Sequence, residues 1–221
     1  PDGSTNWTLA KLAAAAIGTV LEGAEVDAAR IGYLATATTQ NDMMVPGLAS
    51  GVHAACGLPP MEIASLQSVC ASSMMAFKTA MLQIAAGEHE AALVVGAEFS
   101  SRYFRPGMYT GTQTVRADET LPGDAEFLRW TLSDGAAGLL LENRPETHGL
   151  SLRVDWVSLR SFADRFAPCM TGGVARDADG ALTPWSHHAS IQDAAEQGAF
   201  QLRQDIDALY RMLPVWLGEF M

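Results

Sequence analysis

The chain has 221 residues, enough for one large domain or two small ones, and 48% of them are apolar, as in a protein with a substantial core. Its net charge of −11 works against a nucleic-acid surface, which needs clustered Lys and Arg to meet phosphates. No run approaches the roughly 18 apolar residues of a membrane span. The first residues lack the pattern of a cleaved leader, and three unevenly spaced cysteines make no disulfide framework, so a reducing cytoplasm is expected.

In chain order, "STNWTLAKLAAAAIGTVLEG" predicts a helix that opens on the capping types Ser4, Thr5 and Asn6 and closes on Gly23. "IGYLATATT" predicts a strand, followed by the polar turn "QND". "VPGLASGVHAACGLPP" repeats the helix grammar, with Pro46 near its start and Gly57 at its end. Then come a buried strand over 63–69, a helix over 71–86 with almost no polar face, and the strand "AALVVGA". Strands and helices alternating on short connections predict a layered α/β domain with a largely parallel sheet.

Residues 100–124 are polar and rich in turn formers, which predicts a long surface excursion. Order resumes at "FLRW" and "SDGAAGLLLEN". In "LSLRVDWVSL", Leu150, Leu152, Val154 and Trp156 alternate, which predicts a strand with one wet face. A loop over 167–185 leads to Ser190 and Asp193, a capping-box-like start for one amphipathic helix through Ala195, Ala199, Leu202, Ile206, Leu209 and Leu213, ended by Pro214.

Cys70 is the leading candidate for chemistry. It stands where a strand turns into a helix, and a thiolate there faces unsatisfied N–H groups and the positive end of the helix dipole. Ala71, Ser72 and Ser73 leave room for a bulky acyl group. The competing reading is a small core residue, since free cysteines are often buried. Cys56 reads as core packing within its helix and Cys169 as a gap-filler in a loop. Glu98 ends a central strand, where open α/β sheets build their sites; it can orient a catalytic group, accept a proton, or serve only as a structural acceptor. Met74, Phe77 and Met81 read as core. His53 reads as a packed, satisfied histidine, and His89, His148, His187 and His188 as exposed. Neither histidines nor cysteines have metal-ligand spacing, so neither metal nor cofactor is expected.

The run from "IGYLATATT" through "QSVCASSMMAFKTAMLQIAAGEHEAALVVGAE", with "LSDGAAGLLLE" after it, resembles the thiolase-fold condensing enzymes of the β-ketoacyl synthase III group. "EFLRWTLSDGAAG", "APCMTGG" and "GALTPW" are more specifically similar to ketosynthases that make cyclohexanedione precursors of dialkylresorcinols. The resemblance implies a single thiolase-like αβαβα domain over 1–221, of which this chain looks like an internal stretch. The whole would be ~100 or more residues longer, near the ~250–300 residues at which domains usually split. It implies an acyltransferase that is acylated on Cys70 and joins a β-ketoacyl thioester to an α,β-unsaturated acyl thioester without decarboxylation. Carrier-protein or coenzyme A thioesters would be its substrates, and a homodimer its assembly.

In that family a histidine and an asparagine on later loops complete the site; neither His187 nor His188 matches that histidine, and both partners are expected beyond Met221. The loop "NDMMVP" matches a segment near the partner subunit's site in related dimers, which makes Met44 a candidate pocket residue. Two other functions compete: an initiating β-ketoacyl synthase that uses an acyl-coenzyme A primer with malonyl carrier protein, and a catalytically silent partner subunit.

Overall fold

A computed structural model describes residues 7–24, 26–114, 120–145, 150–177 and 179–220. It divides the chain into two units, 1–99 with 134–160, and 100–133 with 161–221. The first carries α1 (Leu9–Gly23), β1 (Ile31–Thr38), α2 (Leu48–Cys56), β2 (Glu62–Gln67), α3 (Ser72–Ala86), β3 (Ala91–Glu98) and β4 (Gly135–Glu142). Its four strands run in the order β2-β1-β3-β4. β2, β1 and β3 are parallel, and β4 pairs antiparallel with β3 from Ala91↔Glu142 to Glu98↔Gly135.

Period-two alternation along the two central strands sends side chains to opposite faces. Leu34 of β1 and Leu93, Val95 and Ala97 of β3 pack with Leu9, Ala13 and Ile17 of α1 and Leu48 and Val52 of α2. Tyr33, Ala35 and Ala37 of β1 and Ala92 and Val94 of β3 pack with Ala76 and Ala80 of α3. A register shift between Ile31 and Tyr33 puts Ile31 on the first face with Leu34.

The helix starts are tied to loops that leave the sheet. Thr8 caps α1 by accepting from the Lys11 amide at 3.2 Å, and Asp42, in the loop after β1, accepts from the Leu9 amide at 2.7 Å. Ser4, Thr5 and Asn6 lie outside the described residues. Ser65 of β2 accepts from the Ala49 amide in the first turn of α2 at 2.9 Å. A side chain at Gly47 would run into Ser65, so this strand and helix meet closely because residue 47 has none.

Several expectations are corrected. β2 is an exposed edge strand rather than a buried one, because among the described residues only β1 pairs with it. On α3 the buried residues are Ser72, Ala76 and Ala80, while Met74 is exposed and Phe77 and Met81 are only partly covered. Small side chains on both surfaces let this helix lie close to the sheet; Phe77 still packs against that core, as expected of it, while Met74 turns outward. Residues 150–160 form no strand, and Leu150, Leu152 and Trp156 are exposed, since alternation alone supplies no neighbouring strand to bond.

The second unit holds α4 (Gly123–Thr131), the pair of β5 (Met170–Thr171) with β8 (Arg203–Gln204), the hairpin of β6 (Val174–Arg176) and β7 (Leu182–Pro184), α5 (Ile191–Glu196) and α6 (Ile206–Phe220). The predicted excursion is in part ordered: 3-10 turns span Ser100–Phe104 and Pro106–Met108, and Tyr109 is buried. Residues 115–119 lie outside the described residues. The single amphipathic helix expected from Ser190 to Leu213 is two. Ser190 does cap α5, accepting from Asp193 N at 3.0 Å, but the helix ends at Glu196 and Gly198 takes φ +75°, outside the helical range. Asp205 then starts α6, accepting from Ala208 N at 2.8 Å. Pro214 sits inside α6 instead of ending it, at the loss of the bond that residue 214 would give to the Tyr210 carbonyl.

Candidate active site

Because β1, β2 and β3 are parallel, the segments that follow them leave the sheet at one end. Met44 lies after β1, Cys70 after β2 and Glu98 at the last position of β3. The topology therefore gathers all three candidates at the carboxyl end of the strands, where open α/β sheets bind their ligands.

Cys70 occupies a turn between Gln67, the last residue of β2, and Ser72, the first of α3. The turn closes through Ser72 N to the Val69 carbonyl at 2.9 Å and Met75 N to the Ala71 carbonyl at 3.0 Å. The Ser73 hydroxyl donates to the Cys70 carbonyl at 3.4 Å, which fastens the residue to the first turn of the helix. Ser73 in turn sits against Gly96 of β3, where an added Cβ would come within 3.3 Å of the serine Cβ. Cys70 itself is exposed. Its exposure, in a turn tied to a helix start at the carboxyl end of the parallel strands, sets Cys70 apart from a packing residue.

The other two cysteines differ. Cys56, the last residue of α2, is half-buried against the α1 side of the core, and burial pushes its thiol pKa up. Cys169 is half-buried, and its carbonyl accepts from Asp205 N at 2.6 Å and from Gln204 Nε2 at 3.0 Å. A raised pKa means less thiolate at a given pH. Iodoacetamide labelling of Cys56, followed by peptide mass spectrometry, is therefore expected to lag behind Cys70 at neutral pH and to climb only above the ordinary thiol range. Equal labelling of the two at pH 7 would contradict this.

Glu98 is half-buried, and its Oε1 accepts from both the amide (2.7 Å) and the hydroxyl (2.8 Å) of Thr39. Met44 is 79% exposed, in a loop whose neighbours Met43 and Val45 are also exposed. Thr39 and Gln67, which bond to each other across the strand ends, escaped the sequence reading; nothing in "TATTQ" or "SLQSV" distinguishes them from ordinary strand termini.

The histidines are accounted for elsewhere. His53 Nε2 meets the carbonyls of Leu58 (3.2 Å) and Pro59 (2.9 Å), the satisfied role expected of it. His89 is not simply exposed: it stacks on Tyr33 at 5.8 Å and its Nε2 lies 3.0 Å from Glu62. His187 is exposed, whereas the His188 side chain is largely buried with Nδ1 3.4 Å from Asp193, so only the first matches the expectation. His148 lies outside the described residues. Among the described residues no group of three or more His, Cys, Asp or Glu is placed to hold a metal ion, and no helix is long and apolar enough to cross a membrane.

Residues 3–120, more than half of the chain, match the N-terminal domain of thiolase. The chain belongs to the thiolase family. Its curated relatives include β-ketoacyl-acyl-carrier-protein synthase III of Laribacter hongkongensis, 42% identical over 82 residues, or 37% of this chain and 26% of that protein. The enzyme of the same name from Rhodospirillum rubrum is 39% identical over 131 residues, covering 58% and 38%, and that of Streptococcus agalactiae 30% over 148 residues, covering 67% and 41%. This thiolase-family chain thus spans well under half the length of these relatives.

Solved structures share the fold. AbyA1, a tetronic acid condensing enzyme, superposes with a TM-score of 0.62 at 23% identity, over 77% of this chain and 48% of that one. A variant of OleA from Xanthomonas campestris gives 0.54 at 21% identity, over 62% and 42%.

Proposed function

We propose that this chain is part of a condensing acyltransferase in which Cys70 carries the acyl group. The single observation behind this is the exposed Cys70, held in a strand-to-helix turn at the carboxyl end of the parallel strands. The Cys70 thiolate adds to the carbonyl carbon of an acyl thioester. The old C–S bond then breaks, and the departing carrier or coenzyme A thiol takes a proton. An enolate from a second thioester next attacks the Cys70-bound carbonyl, forming a C–C bond and returning the thiolate. The enolate oxygen needs preorganised donors, supplied in the resembled family by a histidine and an asparagine.

For the pair we favour an α,β-unsaturated acyl group on Cys70 and a β-ketoacyl thioester as the enolate source. Addition of its α-carbon to the β-carbon of the unsaturated chain forms one C–C bond. Attack of its γ-carbon enolate on the Cys70 thioester forms the second and releases the thiolate, closing a cyclohexanedione precursor of dialkylresorcinols. The strings "EFLRWTLSDGAAG" and "GALTPW" support this specificity. The curated relatives carry the name β-ketoacyl-acyl-carrier-protein synthase III, which favours a second reading as a synthase of that group; the resemblance to it implies an acyl-coenzyme A primer and malonyl carrier protein as substrates. A cytoplasmic homodimer goes with both. The open edge of β2 and the exposed Met43, Met44 and Val45 support such an assembly, with Met44 reaching the partner's pocket.

Carbon dioxide separates the two readings. The whole enzyme of which we propose this chain is part, given a β-ketoacyl and an α,β-unsaturated acyl thioester, is expected to yield a cyclic diketone without carbon dioxide. Turnover that requires malonyl carrier protein and releases carbon dioxide would establish the second reading. An absence of any Cys70 acyl adduct with either donor set would overturn both.

A further inference from the structure

The carboxyl ends of the three parallel strands are laced together by side chains. Glu98, ending β3, accepts through one oxygen from both the amide and the hydroxyl of Thr39, the first residue past β1. The Thr39 carbonyl accepts from Gln67 Nε2 of β2 at 3.4 Å, and the Thr38 carbonyl accepts from Ser68 N at 3.3 Å. Ser68 lies two residues before Cys70. The path thus runs from the central strand through one threonine into the segment that carries the nucleophile, while Gly96, two residues before Glu98, abuts Ser73 on the far side of the same turn.

We infer that Glu98 is a positioning residue for Cys70, acting through Thr39 and the Gln67–Ser68 segment. This inference rests on the condensing reading for its purpose, but its geometry does not depend on it. The carboxylate serves here as an acceptor, so the requirement is for an oxygen with free lone pairs and not for a negative charge. Thr39 supplies both donors to that oxygen, and its backbone carbonyl carries the constraint onward. A misplacement of about 1 Å in such a chain costs as much as 100-fold in rate.

Acceptor and proton-acceptor roles for Glu98 predict opposite outcomes for one conservative variant. Glu98→Gln keeps the accepting oxygen and removes the charge; Glu98→Ala removes both; Thr39→Val removes the hydroxyl donor. The readouts are the rate of Cys70 alkylation by iodoacetamide, the rate of its acylation by octanoyl-coenzyme A, and the midpoint of thermal unfolding. Glu98→Gln is expected within about twofold of wild type in both rates, and Glu98→Ala and Thr39→Val about tenfold or more slower. A core variant with an equally lowered unfolding midpoint should leave the Cys70 rates unchanged, which sets positioning apart from general loosening.

Equal rates in all variants, or Glu98→Gln as slow as Glu98→Ala, would overturn the inference; the second result would make Glu98 act by charge. Failure of wild-type protein to take an acyl group would count against the condensing reading instead. Alkylation, which needs no natural donor, would still decide the role of Glu98.

Discussion

Replacing Cys70 by alanine is expected to abolish covalent acyl capture while leaving the fold intact. Wild-type protein incubated with an acyl thioester should gain the mass of one acyl group, mapped to the peptide that contains Cys70. The alanine variant should gain none, a loss of 100-fold or more in adduct formation, since the transferred group has no other attachment point with the same placement. Cys56 is half-buried with its thiol pushed up, and Cys169 is half-buried in the second unit. Stability should hardly move, because Cys70 is exposed. Acyl mass that persists in the variant, or that maps to Cys56 or Cys169 in wild type, would remove Cys70 from the mechanism. Cys70→Ser sharpens the test: it keeps the shape but offers a poorer nucleophile, so it should fold like wild type and accept little or no acyl group.

The layered α/β class was legible because its signals are local and strong. "IGYLATAT" and "AALVVGAE" are short apolar runs bounded by turns, and both are central strands with side chains alternating between two cores. The turn that holds Cys70 was legible for the same reason, as a break between two periodicities in "IASLQSVCASSMMAFKTA". Neighbour-dependent features were not legible. Ile63 and Leu66 read as buried but lie on an edge, because burial depends on how many strands flank β2. Leu150 to Trp156 carry a strand pattern without a strand. The 3.6-residue spacing from Ala195 to Leu213 crosses a glycine at positive φ, a backbone choice the apolar pattern does not encode. The lacing of Glu98, Thr39 and Gln67 joins positions far apart in sequence, so no local window holds it.

Shortening Leu93 to alanine is expected to be among the most costly single changes in the first unit. Leu93 is fully buried in β3, opposite Leu34 of β1 and Leu140 of β4, on the face covered by α1 and α2. Its removal loses the transfer free energy of the side chain and leaves a cavity, because strands paired on both sides cannot close in. Such changes cost about 2–5 kcal/mol, a large share of the roughly 5–15 kcal/mol that holds a domain together. Leu82→Ala on α3 is the control: its side chain is half exposed, and alanine is the better helix former, so the change should stay within about 0.5 kcal/mol. Urea unfolding followed by circular dichroism distinguishes them, with the midpoint lowered for Leu93→Ala and its slope retained. Similar midpoints for the two variants would mean that the face against α1 and α2 is not the core. The cavity would lie five positions before Glu98 on the same strand, so measuring Cys70 alkylation on folded Leu93→Ala protein tests whether damage to the core travels to the site. If positioning is carried by the hydrogen bonds at the strand ends, stability falls and the alkylation rate does not.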